Sequence, residues 1–256
     1  MIGVFDSGLG GLSVLRAIRE RLPDHDLLYL ADSAYCPYGP RPAAEVRVRA
    51  QACANWLVQQ GADLVVIACN TATSAAADQL RAELPVPVIG LEPGLKPAIT
   101  ASRNGRVGVL ATSGTLHGER FMNLVRRFAS RAQIFTMPSP DLVGYVEAGD
   151  LNGPDVRAAL TGYLEPLRSQ GVDAVVLGCT HFPFLRPLIA ELAGPEIEII
   201  DTGSAVAEQV SRIVEVYAID PDGGTLRFAT TGDPETVGPP LVRVWGEEVP
   251  LIKAEI

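Results

Sequence analysis

Two cysteines, Cys69 and Cys179, stand in matching surroundings in the two halves of a 256-residue chain. DLVVIACNTAT (63–73) lies over DAVVLGCTHFP (173–183) at an offset of 110 residues, cysteine on cysteine. Each thiol follows a short apolar run and precedes hydrogen-bonding residues: Asn70, Thr71 and Thr73 after Cys69, Thr180 and His181 after Cys179. One such cysteine is ordinary core filler, because free cysteine is among the most buried residue types. A pair at symmetry-related stations points to chemistry. A single reactive thiol suits nucleophilic attack, with His181 as the base for Cys179. Two thiols facing across a cleft suit removal of a proton from one side of a carbon and delivery to the other. That requires one thiolate and one thiol, hence two environments that hold different protonation states. An ordinary thiol, with pKa ~8.5, is only partly ionised at neutral pH, so neighbours must help. Asp6 is the candidate on one side and His181 on the other.

The first apolar run ends in FDSGLGGLSV (5–14), which brings Asp6 and Ser7 to the sheet edge that carries the cysteines. Gly8-x-Gly10-x-x-Ser13 also approximates a dinucleotide fingerprint, and Asp32 stands where a ribose-binding acid would. Ser13 in the third small position and a carboxylate at Asp6, beside any pyrophosphate, argue against that use. The loop ADSAYCPYGPR (31–41) is a proline-stiffened turn in which Tyr38 offers a hydroxyl or a wall. Its Cys36 has no base nearby in sequence. Cys53 reads as core, His25 and His117 as surface, and Trp56 and Trp245 as packing. The histidines and cysteines show no zinc-ligand spacing and no CxxC pair, so no metal site is expected. Lys96 and Lys253 are the only lysines, and neither has the phosphate-binding context of a pyridoxal-phosphate enzyme, so the expected chemistry is cofactor-free.

These stations need elements to hold them. Apolar runs at 2–5, 27–31, 64–68, 86–90, 106–111, 132–136, 174–178 and 196–200 alternate with helical patterns near 10–21, 43–60, 73–83, 116–129, 141–148, 154–169, 184–193 and 204–217. Fully apolar strands between helices mean parallel sheets covered on both sides, an α/β fold. The end differs, since TLRFATTGD (225–233) and PLVRVWG (240–246) carry no strong helix between or after them. RVGVLATSGTL (106–116) also parallels MIGVFDSGLGGL (1–12), and with the cysteine repeat this predicts two related lobes with a ligand cleft between them. A hydrophobic fraction of 47% excludes disorder, and no apolar run approaches the length of a membrane span. A net charge of −9 without a basic block argues against nucleic acid or an anionic membrane as partner. No export signal opens the chain, so the thiols are expected to stay reduced.

With those residues in hand, the chain resembles the glutamate racemases of the cofactor-independent aspartate/glutamate racemase superfamily. The resemblance covers essentially the whole chain. It rests on DSGLGGLSV (6–14), ADSAYCPYG (31–39), ACNTAT (68–73), PVIGLEPG (87–94), YVEAGD (145–150), GCTHFP (178–183) and TTGD (230–233). It implies two pseudo-symmetric α/β lobes, residues 1–93 plus 207–256 and residues 94–206, with the active site between them. It implies that Cys69 takes the α-proton of D-glutamate and Cys179 that of L-glutamate, with Asp6 supporting Cys69 and with His181 and Glu147 supporting Cys179. Asp6, Ser7, Tyr38, Gly39, Asn70, Thr71, Thr180 and His181 would hold substrate, with Thr112 and Thr115 as a further pair. The family's role is to supply D-glutamate for peptidoglycan in the bacterial cytoplasm, without cofactor or metal. Its members are often homodimers, though no sequence feature here chooses an interface. Departures are Phe182 in place of a more usual tyrosine, the Cys36 thiol, and His117-Gly118. The N-terminal extension that accompanies activation by a cell-wall precursor is not seen, and no such activation is expected. Aspartate racemase, a Cys-His hydrolase and a two-lobed amino-acid binding protein are the alternatives.

Overall fold

The alternation of apolar runs and helices produces ten strands in the computed structural model, which describes all residues 1–256. In chain order they are β1 (Ile2–Asp6), β2 (Leu27–Ala31), β3 (Leu64–Ile67), β4 (Val88–Gly90), β5 (Arg106–Ala111), β6 (Gln133–Pro138), β7 (Ala174–Leu177), β8 (Glu198–Ile200), β9 (Leu226–Thr230) and β10 (Leu251–Lys253). They form a six-stranded sheet, β10-β9-β2-β1-β3-β4, and a four-stranded one, β6-β5-β7-β8. Every pairing is parallel. Burial explains the composition: every residue of β1, β2, β3 and β7 is buried, as parallel strands covered on both sides demand. The internal repeat is visible in the strand order. β2-β1-β3-β4 and β6-β5-β7-β8 are the same arrangement, with the strand before each cysteine in the same interior place.

The helices are α1 (Leu12–Arg21), α2 (Ala43–Gln59), α3 (Asn70–Glu83), α4 (Leu95–Ala101), α5 (Ser113–Leu116), α6 (Glu119–Phe128), α7 (Asp141–Glu147), α8 (Pro154–Ser169), α9 (Arg186–Ala193), α10 (Gly203–Val216) and α11 (Pro234–Trp245). One apolar cluster joins the sheets, running from Val4, Leu12 and Leu15 to Leu177, Phe182 and Leu188. A second lies under α2 and α3 around Phe5, Leu57 and Leu80, and a third under α4 and α6 around Val107, Phe121 and Phe128. α10 packs against α1 of the first sheet.

Three expectations need correction. The segment 240–246 is helical after all, as the second half of α11. The Asp233 carboxylate accepts the Glu235 N–H at 3.2 Å and Pro234 fills the first turn, while Val237, Leu241 and Val244 make a stripe three and four residues apart that packs inward. Pro239, Pro240 and the β-branched residues concealed it. The helix expected at 116–129 is two, α5 and α6, separated at Gly118, where a Cβ would lie 2.1 Å from Ser74 Oγ. His25 is buried rather than on the surface, with Nε2 3.2 Å from the Ile219 carbonyl oxygen.

Candidate active site

Cys69 is the residue that caps α3. Its extended backbone turns the chain from β3 into the helix, and its sulfur accepts the Ala72 N–H at 3.5 Å. Ser7 Oγ lies 3.9 Å from the same sulfur. The first turn of α3 leaves the N–H groups of Asn70 and Thr71 without helical acceptors. Cys179 ends the run that forms β7 and leads into a short 3₁₀ turn, Phe182–Leu185. Its sulfur lies 3.6 Å from His181 Nδ1, and the opposite ring nitrogen, Nε2, is 2.5 Å from Glu147 Oε1. That carboxylate also accepts the Leu9 N–H at 2.6 Å, which ties the end of α7 to the first lobe's glycine loop.

Asp6 sits behind the two thiols, fully buried. It accepts the N–H groups of Ser7 at 2.6 Å and Gly11 at 2.5 Å, and the hydroxyl of Thr180 at 3.1 Å. The residue after one cysteine is thereby bonded to the acid that neighbours the other. Gly8 and Gly10 of the 5–14 loop owe their place to side chains from across the cleft, not to a phosphate. A Cβ on Gly10 would lie 2.2 Å from His181 Nδ1, and one on Gly8 2.1 Å from Glu147 Oε1. Asp32 is likewise taken, held by the Arg49 guanidinium at 2.8 and 3.0 Å and by the hydroxyls of Thr231 and Tyr38. Neither half of the dinucleotide reading survives.

The electrostatics divide the two stations. Burial, and then the Asp6 carboxylate, push the Cys69 thiol well above the usual thiol range. Burial also raises Asp6, against the pull of His181 and the Ser7 N–H. For His181 burial acts the other way and disfavours the cation, yet its contacts with Cys179, Cys36 and Glu147 hold it well above the usual imidazole range. The two stations therefore differ in surroundings: burial and an acid favour the protonated form of Cys69, while Cys179 has beside it a histidine whose cationic form is favoured.

The wall of the pocket between the lobes consists of Ser7, Pro37, Tyr38, Gly39, Cys69, Asn70, Thr71, Thr112, Thr115, Val143, Cys179, Thr180 and His181. The hydroxyls of Thr71, Thr112 and Thr115 form a cluster at 3.0–3.4 Å across the lobes. Asp6 and Glu147 are not among the lining groups, although Asp6 was expected to touch substrate. Tyr38 contributes its ring, because its hydroxyl donates to Asp32. Pro37 and Val143 were not expected, and nothing in an isolated apolar residue would have flagged them. Cys36 has no base nearby in sequence, but in space it neighbours His181 and Glu147. The cavity measures about 10 Å³, room for roughly one water. No lysine or arginine lines it, and the Asn70 Oδ1 atom is buried without a hydrogen-bond partner.

Residues 2–210 match the family model described as Asp/Glu/Hydantoin racemase. The glutamate racemase of Pseudomonas aeruginosa is 52% identical over 248 residues, covering 96% of this chain and 94% of that protein. Among solved structures, a glutamate racemase isoform from Bacillus anthracis superposes with a TM-score of 0.90 at 31% identity, covering 100% of this chain and 97% of the other. The Escherichia coli glutamate racemase in complex with L-glutamate and the activator UDP-MurNAc-ala gives 0.88 at 36% identity, with 98% and 97% covered.

Proposed function

The chain belongs to the Asp/Glu/hydantoin racemase family, and from that premise we propose how it works and what it serves. Its activity is the interconversion of L- and D-glutamate, an isomerase reaction run without pyridoxal phosphate. Both lysines agree with that chemistry. Lys96 is exposed, and Lys253 Nζ donates to the carbonyl oxygens of Thr231 and Gly232, away from the cleft.

In the mechanism we favour, the Cys179 thiolate removes the α-proton of L-glutamate and the Cys69 thiol supplies one from the opposite side. This leaves D-glutamate, a Cys179 thiol and a Cys69 thiolate, and the reverse reaction restores the starting state. One observation carries this reading: the two sulfurs line one pocket from two lobes, with an acid behind one and an imidazolium beside the other. Asp6 supports Cys69; His181, braced by Glu147, supports Cys179. Ser7, the Tyr38-Gly39 wall, Asn70, Thr71 and Thr180 hold substrate, with Thr112 and Thr115 at the far side. The N–H groups at the start of α3 and the threonine hydroxyls suit the substrate carboxylates. The unpartnered Asn70 Oδ1 suits its ammonium. Donors spread over a site without lysine or arginine stabilise the charge that builds as the α-proton leaves. A cavity of about 10 Å³ is far too small for glutamate, so the lobes part to admit it.

The product D-glutamate would feed peptidoglycan assembly in a bacterial cytoplasm. No helix is long and apolar enough to cross a membrane. A homodimer belongs to the same reading, and light scattering tests it. The decisive experiment incubates pyridoxal-free protein with L-glutamate in deuterated water. Loss of optical rotation with α-deuterium in the D-product supports the reading, and binding without exchange refutes it. Repeating with L-aspartate fixes the substrate, with turnover of glutamate expected to dominate.

A further inference from the structure

Cys36 carries no proton in this mechanism, yet the fold sets its sulfur against two groups that act in it. Cys36 Sγ, a Glu147 carboxylate oxygen and a His181 ring nitrogen all lie within 4.8 Å of one another. The three come from separate elements: the turn after β2, the last residue of α7 and the turn after β7. Gly8 lies beneath them, and a Cβ there would fall 2.1 Å from Glu147 Oε1 and 2.8 Å from Cys36 Sγ. His181 Nδ1 is directed to Cys179, which leaves Nε2 on the Glu147 side. Cys36 is half-buried and the Glu147 side chain 22% exposed, so the cluster can be reached from solvent.

We propose that Cys36, Glu147 and His181 form a binding site for a zinc-class divalent cation, and that the bound ion blocks proton transfer at Cys179. One thiolate, one imidazole nitrogen and one carboxylate oxygen are the donor set zinc selects, with a water completing a tetrahedron. Metal–ligand distances of ~2.0–2.3 Å bring tetrahedral donors to roughly 3.3–3.8 Å from each other. The trio reaches that when Cys36 Sγ closes by up to about an ångström and Glu147 Oε1, now 2.5 Å from His181 Nε2, moves off by slightly less, both within the range of these side chains. On binding, the Cys36 S–H and His181 Nε2–H bonds break, both protons pass to solvent, and the sulfur and nitrogen lone pairs form bonds to the ion. Nothing is oxidised or reduced. The ion then occupies the nitrogen and carboxylate that keep His181 cationic beside Cys179. Binding itself is independent of the racemase reading. The inhibition rests on the role assigned to His181 there.

The test uses Co²⁺ as a spectroscopic probe on the full chain and Zn²⁺ as inhibitor, with Cys36→Ala as the variant. A sulfur-to-cobalt charge-transfer band is expected in the parent and not in the variant, and Zn²⁺ should displace it. Zn²⁺ should inhibit racemisation reversibly, with EDTA restoring it. Cys36→Ala should raise the inhibitory Zn²⁺ concentration, measured against the variant's own metal-free turnover, by at least about tenfold. A band and an inhibition unchanged in the variant would place the ion on Cys69 or Cys179 and overturn the proposal, as would no band in the parent. A Cys36-dependent band with racemisation indifferent to Zn²⁺ overturns the inhibitory half alone. A chain that binds cobalt through Cys36 but racemises nothing leaves the metal site standing and refutes the proposed mechanism.

Discussion

The two cysteine stations are copies in backbone and opposites in surroundings. Each follows the strand at the same interior place of its sheet, β3 or β7, and each opens onto the cleft. Beyond that they diverge. Cys69 caps a full α-helix with a buried carboxylate nearby, which keeps its proton on. Cys179 leads into a 3₁₀ turn and has His181, itself backed by Glu147, at its side. The repeat supplies the geometry of a two-sided site, and a few substitutions at Asp6, His181 and Glu147 supply its asymmetry. A symmetric pair of thiols would meet identical neighbours; these two meet an acid on one side and a histidine on the other.

The comparison breaks first at the sulfurs. Cys69→Ser and Cys179→Ser should each lower racemisation of L-glutamate by about 10²–10⁴-fold, followed by circular dichroism. A near-normal rate in either would mean that one station suffices. Next come the supports, with losses of about 10²-fold. The enantiomers have equal free energy, so His181→Asn must lower kcat/KM equally in both directions. The α-deuterium isotope effect should nevertheless grow for L-glutamate, whose proton Cys179 removes. Asp6→Asn should enlarge it for D-glutamate instead, and the same direction in both variants would remove the assignment of sides.

A smaller effect tests whether Cys69 holds its proton. Burial raises Cys69 and Cys53 and pushes Cys36 up to about 12. A group whose folded-state value is raised binds its proton more tightly when folded. Its contribution is full below the unfolded value and is lost as pH rises toward the folded one. Above the ordinary thiol value of ~8.5, stability should therefore fall by about 1.4 kcal/mol per pH unit for each thiol. Denaturant melts between about pH 9 and 11 should show this slope, shallower by one thiol's share in Cys69→Ala. His181 adds the same sign from a lower starting point, about 6.5 upward. The smallest change is a control. Gly162, inside α8 with nothing near its would-be Cβ, should gain about 0.5–1 kcal/mol on conversion to alanine and leave both stations untouched.

What could be read beforehand follows from where the signal lies. β1, β2, β3 and β7 were legible because parallel strands buried on both sides are continuous apolar runs. Cys69 and Cys179 were legible because a repeat marks equivalent positions. α11 was not, since its inward stripe of Val237, Leu241 and Val244 is interrupted by two prolines, and β10 is three residues long. The neighbourhood of Cys36 was invisible for a different reason: it meets His181 from a turn 145 residues earlier, and no spacing encodes such a meeting. Asp32 shows the converse, a correctly spaced acid whose oxygens are committed to Arg49, Tyr38 and Thr231.

The pairing of β2 with β9 bears on how the molecule is made as well as on how it stands. A ribosome releases β5 through β8, and with them the whole second sheet, before β9 exists. During that interval β2 offers an open edge of N–H and C=O groups, the kind of edge that recruits other chains. The last thirty or so residues close it from outside, so a nascent chain released early would carry one finished lobe and one sticky one. The C-terminal segment, none of whose residues lines the pocket, guards the enzyme's solubility at birth.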